Sequence, residues 1–344
     1  MSFEKVTIAV ITYNGEHLLQ ECLSAIKSQD YPEYEIMVID NNSTDHSVDL
    51  VREKFPEVKI LQMKENRGPN PARNVAILKS DTSYTLLVDD DAVLTPQCLR
   101  ILMKTMKEYS NVAICNPRIV LYDDRTRIQY DGSRLCYIGA VIARNSGASI
   151  QQASKTTIPV SVVSGLTMLV KRDKALQIGL FDEDYFFGWD DADFSLRMTI
   201  SGFKCLHVPQ AVVYHKLKKR GLSKAFYQIR NRWYLILKSY SSRTLFLLWP
   251  ILLVYELGLL LFLTMKGVLF EYLKANLAVI KNFGKLMKKR RKIQALKKIS
   301  DGEVLCAGDF YMREDLMEKR YLKLGKNILN HVFNLYWKVI KSFI

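Results

Sequence analysis

Three consecutive carboxylates, Asp89, Asp90 and Asp91, close the β-type run in "YTLLVDDDAVLTP" at residues 84–96. Like charges side by side repel one another, and each loses hydration when an apolar strand carries it to the margin of a core. Two arrangements relieve that strain. The cluster is either an acidic turn capping the next helix, or the seat of a divalent cation and its phosphate ligand. A second acidic group, "WDDADF" at 189–194, places Asp190, Asp191 and Asp193 at the head of a helical pattern. There the helix dipole favours negative charge with or without a chemical role.

The elements that must position these groups alternate along the front of the chain. "KVTIAVITYN", "YEIMVIDNNSTD", "VKILQMKENRG" and "SYTLLVDDD" read as buried strands ending in polar residues. "EHLLQECLSAIKSQ", "HSVDLVREKF" and "NPARNVAILKS" between them have helical spacing. Strand–helix alternation predicts βαβ units and a parallel sheet, and such sheets bind ligands beyond the carboxyl ends of their strands. The ligand-type residues fall at those ends: Thr12, Tyr13 and Asn14; Asp40 and Ser43; Asn66 and Gly68; Asp89 to Asp91. Four strand ends of this kind favour a phosphate or nucleotide site over a structural turn. Farther on, 190–202 reads as a helix ended by Gly202, followed by a strand and a helix with interleaved aromatics, "SKAFYQIRNRWYLILKSY".

The chain has 344 residues, 49% of them hydrophobic, enough to bury a large core and an appendage. Its six cysteines show no C-x-x-C pair, which suits reduced thiols in a cytosol-facing compartment. The first fifteen residues read as a strand and not as a signal peptide. The net charge of +15 is unevenly placed: residues 201–344 hold 28 Lys and Arg against 8 Asp and Glu. A basic rear fits nucleic acid or an anionic membrane surface. Within it, residues 244–265 form a 22-residue apolar segment with one charge, Glu256, long enough to span a bilayer. Basic residues flank it on both sides. Lys216, Lys218, Lys219, Arg220, Arg230, Arg232, Lys238 and Arg243 precede it; Lys266, Lys274, Lys281 and the cluster at 288–292 follow. A single crossing would put one flank outside, against the positive-inside tendency. The tail, "HVFNLYWKVIKSFI", is amphipathic, with Val332, Leu335, Tyr336, Val339, Ile340 and Phe343 on one face.

Taken in order, "ITYN", "DNNSTD", "ENRGPNPARN", "LLVDDDAVLTP", "VSGLTMLVKR", "FDEDYFFGWDDADFSLRMTISGFK", "VYH" and "RNRWYLILK" resemble family 2 glycosyltransferases over about residues 5–240. The last of these is similar to rhamnosyltransferase-like members. The resemblance implies an α/β GT-A fold, Rossmann-like with a mostly parallel sheet. It also implies inverting transfer of a sugar from a nucleotide diphosphosugar. Asp89 and Asp91 match the family's Asp-x-Asp motif, so Asp89 is expected on the ribose and Asp91 on Mg²⁺ or Mn²⁺, with Asp90 in reserve should the register shift by one. Asp40 matches the residue that recognises the base, while Asn66 and Arg73 are expected at the phosphates or base. Thr12, Tyr13 and Asn14 complete the expected nucleotide-sugar set.

Inverting displacement needs a general base for the acceptor hydroxyl, and the resemblance places it at Asp191. Asp190 stands where the family usually has Glu, and Asp193 is expected to bond the backbone or Arg197. His215 matches a position near the metal or diphosphate. Gly165 would allow close backbone approach to a sugar, and Arg230 would support the site. The expected organisation is a catalytic domain at 1–240, an apolar and basic helical membrane-associated region at 241–300 and an amphipathic tail at 301–344. The expected location is the cytoplasmic face of the cell membrane, monotopic or single-pass, with a glycan or lipid-linked acceptor and no nucleic-acid partner. A polyprenyl-phosphate sugar synthase is the rival within the enzyme class. A basic nucleic-acid-binding protein would explain the rear charge but not the carboxylates at the strand ends.

Overall fold

The computed structural model describes residues 3–217, 222–308 and 320–344. Lys218, Lys219 and Arg220 of the basic flank therefore lie outside the described residues. In chain order the first elements are β1 (Val6–Thr12), α1 (Glu16–Lys27), β2 (Tyr34–Asp40), α2 (Ser47–Lys54), β3 (Lys59–Gln62), α3 (Pro69–Lys79) and β4 (Tyr84–Asp89). Next come β5 (Ala92–Leu94), α4 (Cys98–Glu108), β6 (Val112–Leu121), β7 (Ile128–Tyr130), β8 (Ser133–Cys136), β9 (Val141–Ala143) and β10 (Ile158–Pro159). β11 (Thr167–Lys171), α5 (Arg172–Gln177), α6 (Asp190–Ile200), β12 (Lys204–His215) and α7 (Ala225–Ser239) follow. The rear comprises α8 (Ser242–Met265), α9 (Leu269–Lys281), α10 (Phe283–Leu296), α11 (Asp301–Val304), β13 (Leu305–Cys306) and α12 (Arg320–Ile340).

Contacts divide the chain into two units. The first comprises Met1–Gly132, Arg144–Met198 and Phe203–Lys219. Its sheet runs β10-β12-β6-β11-β4-β1-β2-β3, with β5 added on β12 and β7 on β6. The half β4-β1-β2-β3 is parallel throughout, whereas β11 runs antiparallel to both β4 and β6. The sheet is thus mixed, with the βαβ alternation confined to the front as the sequence pattern predicts.

Alternation along the strands explains the two cores. Val6, Ile8 and Val10 of β1 point to one face, with Leu19, Leu23 and Ile26 of α1 and Leu99 and Leu102 of α4. Ala9 and Ile11 point to the other, with Ala72 and Ala76 of α3 and Phe194 and Met198 of α6. A strand buried on both faces needs the near-continuous apolar run that β1 has. β1 lies between β2 and β4, so its polar C-terminal residues open onto the ends of both neighbours.

The second unit, Ser133–Ala143, Thr199–Gly202 and Arg220–Ile344, has a small sheet, β13-β8-β9, beside its helices. It takes in α7, ahead of the 240 boundary read from the sequence, because α7 packs on α9 and α10. All six cysteines are free thiols.

Ile8 is fully buried at the centre of the sheet. Truncation there removes apolar contacts and leaves a cavity, so Ile8→Ala should lower stability by about 2–5 kcal/mol. Chemical denaturation checks it: the midpoint should fall with an unchanged slope.

Candidate functional site

The loops after β1 and β2 are laced together before any ligand is considered. Ser43 Oγ accepts from the Asn14 amide at 2.9 Å, and Ser47 Oγ accepts from the Gly15 amide at 2.9 Å. The Thr44 amide donates to Asn14 Oδ1 at 2.8 Å, and Asp45 Oδ2 accepts from the Glu16 amide at 3.1 Å. Asn14 takes a left-handed backbone, φ 52°, which Asn tolerates better than most residues. Tyr13 is left exposed. Asp40 is buried and accepts from the Ser43 amide at 3.2 Å, closing an Asx-type turn. Asn66 Oδ1 accepts from Asn41 Nδ2 at 3.0 Å and from the Gly68 amide at 2.9 Å.

The three carboxylates after β4 point to three different partners. Asp90 Oδ2 accepts from Thr12 Oγ1 at 2.6 Å. That pair fills the space beside Gly15, where a Cβ would fall 2.3 Å from Asp90 Oδ2. Asp89 accepts from Arg73 Nη2 at 2.9 Å. Asp91 Oδ2 faces His215 Nε2 at 3.3 Å, and its Oδ1 is buried with no hydrogen-bond partner. Burial, reinforced by its two acidic neighbours and opposed by Thr12, pushes Asp90 up to about 7. Burial raises Asp89 to about 6, even with Arg73 opposing it.

Two features of Asp91 and His215 suit a hard divalent cation. The ring Nδ1 of His215 pairs with Gln129 Oε1 at 2.7 Å. That contact fixes the ring so that its Nε2 edge faces Asp91. An imidazole nitrogen and a carboxylate side by side are ligand types such an ion accepts, and the unpartnered Asp91 Oδ1 offers a further donor atom. Among the described residues no group of three or more His, Cys, Asp and Glu is placed to hold a metal.

Arg73 is 3% exposed, and its head joins both acidic groups. Its Nη1 donates to Asp190 Oδ2 at 2.7 Å, while Nη2 also donates to Gly165 O at 3.1 Å. Burial alone would pull the guanidinium down, but Asp89 and Asp190 outweigh it and hold the pKa above its ordinary value. Arg73 is thus spent on internal partners, and the expected contact with phosphate or base gives way to a bridging one. Gly165 serves the same cluster. Its amide donates to Asp191 Oδ2 at 2.9 Å, and a Cβ there would sit 3.0 Å from Arg73 Nη2.

Asp191 itself is raised to about 7 by burial first and by the charge of Asp190 second. It lies in the first turn of α6, entered through Gly188 and Trp189 with positive φ of 72° and 61°. For a bulky residue that backbone is strained, and strain of this kind concentrates at functional sites. Asp193 turns away, accepting from Arg197 Nε at 2.8 Å and Tyr185 OH at 3.2 Å. α3 also grips the loop leading into α6, through Asn74 Nδ2 on Phe181 O at 3.0 Å and Asn70 Nδ2 on Asp182 O at 3.0 Å. Arg230 belongs to the second unit, stacked over Phe226, Tyr227 and Tyr234.

The sequence reading missed Gln129, Asp45, Ser47, Asn70 and Asn74. The last four lie in or beside motifs already singled out, and only the pairing was hidden. Nothing around Gln129 on the short β7 marks it.

Carboxylates at strand ends and a parallel βαβ front are the features of a GT-A fold. Residues 7–178, half of the chain, match glycosyl transferase family 2, and the chain belongs to that family. It is 23% identical over 211 residues to a poly-β-1,6-N-acetyl-D-glucosamine synthase of Staphylococcus epidermidis, covering 61% of this chain and 49% of that one. The chain thus spans about half the length of the curated relatives it first matches. Its fold is similar to a mannosyltransferase of Pyrobaculum calidifontis, solved with GDP-Man and Mn²⁺. That likeness has a TM-score of 0.54 and 18% identity over 99% of this chain and 88% of that one. It is also similar to GalNAc-T7, solved with UDP, GalNAc and Mn²⁺, with a TM-score of 0.58 and 14% identity over 70% and 49% of the two chains.

Removing one partner of a buried ion pair leaves uncompensated charge inside the protein. Arg73→Leu should therefore destabilise the first unit by about 3–5 kcal/mol. Double-mutant cycles with Asp190→Asn check the origin of the effect: the two losses should fall well short of additive.

Proposed function

We propose that the chain transfers a sugar from a nucleotide diphosphosugar, with inversion, to a hydroxyl of a glycan or lipid-linked glycan in surface-polysaccharide or glycoprotein-glycan assembly. The observation that carries this reading is Asp191. It is held near neutrality, fixed by the Gly165 amide, and adjoins Asp190, which Arg73 ties to Asp89 after β4. Asp191 is the general base. A carboxylate poised near 7 accepts the acceptor's proton more readily than one at its ordinary value. Asp190, locked on Arg73, lends the negative charge that helps raise it.

Asp91 and His215 are the metal ligands, and Mg²⁺ or Mn²⁺ there would offset charge on the departing diphosphate. Asp89, only partly exposed, retains an edge for the ribose. Thr12, Tyr13, Asn14, Asp40 and Asn66 surround the nucleotide, with Thr12 holding Asp90 in place. Arg73 and Gly165 position the carboxylates. Residues 1–240 are assigned to catalysis, 241–300 to membrane association and 301–344 to an amphipathic tail, with the chain on the cytoplasmic face. The names of relatives such as poly-β-1,6-N-acetyl-D-glucosamine synthase support a polysaccharide acceptor.

Asp91→Ala should abolish Mn²⁺-dependent binding of the donor while the fold survives. Calorimetric titration against UDP-, GDP- and dTDP-sugars decides it, since undiminished metal-dependent binding would remove Asp91 from the ligand set.

Asp191→Asn should bind donor normally yet lose about 10²–10⁴-fold in transfer. Persistent turnover at saturating acceptor would move the base elsewhere.

Only the deprotonated form of Asp191 accepts a proton. Wild-type transfer should therefore rise with pH through about 7 and fall tenfold per unit well below it. A profile flat from pH 5.5 to 8 would contradict that role.

A further inference from the structure

Three helices of the second unit carry apolar residues on both faces. α8 turns Leu248, Ile251, Leu252, Phe262 and Leu263 inward. Its opposite face presents Phe246, Trp249, Leu253, Leu257 and Leu261 at spacings of three and four, with Phe246 81% and Trp249 62% exposed. α9 buries Ala275 and Val279 and exposes Phe270, Leu273, Leu277 and Ile280. α12 buries Phe333, Trp337 and Ile340 and exposes Leu324, Ile328, Leu335 and Val339. The tail face expected from the sequence is therefore split, with Ile340 packed inward and Leu335 and Val339 outward. A surface helix of a water-soluble domain keeps polar residues on its outer face, and an apolar area of this extent marks an interaction surface. α8 touches both α9 and α12, so the three stripes belong to adjoining helices.

The length and composition of α8 also permit a membrane crossing. Its midpoint argues otherwise. Glu256 Oε1 accepts from Arg232 Nη1 at 2.5 Å, and Oε2 accepts from Tyr272 OH at 2.8 Å. Arg232 Nε donates onward to Ile138 O at 2.8 Å. The centre of α8 is thus bolted to α7, to α9 and to the β8–β9 turn. A crossing would either break a buried ion pair or draw those elements into the bilayer with it.

Charge selects the partner. α12 carries Arg320, Lys323, Lys326 and Lys338 and no acid, while α8 and α9 carry Arg243, Lys274 and Lys281 against Glu271 and the internally paired Glu256. A second copy would bring like charge against like, whereas an anionic leaflet complements the apolar stripes and the basic groups together.

We propose that the outer faces of α8, α9 and α12 form a monotopic docking surface for an anionic phospholipid leaflet, with α8 lying along the interface and both its ends on one side. This deepens the reading of a membrane-associated transferase and rests on it for its biological purpose.

The test is co-sedimentation of the whole chain with vesicles of phosphatidylcholine, with and without phosphatidylglycerol. Anionic lipid should raise the bound fraction about tenfold and high salt should reverse it. The triple variant Phe246→Ser, Trp249→Ser, Leu253→Ser should lose binding with an unchanged circular dichroism spectrum. Leu335→Ser with Val339→Ser on α12 gives a second variant should the first unfold. Wild-type protein left in the supernatant, or folded variants that still bind, would overturn the proposal. So would a dimer by light scattering that the same substitutions dissolve, because the covering partner would then be a second copy. Ser242→Cys and Met265→Cys should both react with an impermeant maleimide outside sealed vesicles. Protection of one end alone would establish a crossing and defeat the one-leaflet placement. Sugar-nucleotide hydrolysis without vesicles is the separate readout: its absence alongside intact vesicle binding would count against the catalytic reading alone.

Discussion

The candidate site of the first unit depends on one buried guanidinium, that of Arg73. Arg73 brings the end of β4 and the head of α6 onto one guanidinium, although Asp190 stands 117 residues away along the chain. A charge taken from water needs partners of opposite sign and good geometry, and Arg73 has two carboxylates and a backbone carbonyl. Asn70 and Asn74, on the same helix, hold the loop through which α6 is entered. α3 therefore acts as the jig on which both acidic groups are set.

From that constraint follows the division of labour among the carboxylates. Asp89 and Asp190 are occupied by Arg73, Asp90 by Thr12 and Asp193 by Arg197. Asp91 keeps an unpartnered oxygen, while Asp191 is bound by backbone amides and lacks a neutralising side chain of its own. Chemically alike groups are thus given different surroundings, and surroundings of this kind separate the behaviour of neighbouring acids. The strained entry at Trp189 belongs to the same arrangement, since it aims the first turn of α6 at Gly165.

The second unit follows a different pattern. Its helices bury one apolar face against each other and present another outward, and an ion pair centred on Glu256 secures the middle of the longest. Much of the basic excess of the rear half falls in this unit, most densely on α10. Composition alone left that charge open to nucleic acid. Its coincidence with exposed Phe, Trp and Leu is what favours lipid, because a phosphate backbone offers those side chains little.

Much of the first unit was legible from spacing. Alternating apolar strands and helices announce βαβ units because a strand covered on both faces must be apolar along its length, and polar residues at its end must then meet the ligand side. The grouping of Thr12, Asp40 and Asp89–Asp91 at strand ends needed nothing more, and the Asp193–Arg197 pair follows from one helical turn. What the linear pattern could not hold is which carboxylate meets which partner. Arg73 looked suited to phosphate, yet burial gave it to Asp89 and Asp190; Gln129 carried no mark, yet it orients the ring of His215. The tail read as a single apolar face until packing divided it. Periodicity reports which side of an element is apolar, a property of near neighbours in sequence. Pairing, desolvation and the identity of the covering surface arise between residues tens to hundreds of positions apart, and only the folded chain brings those together.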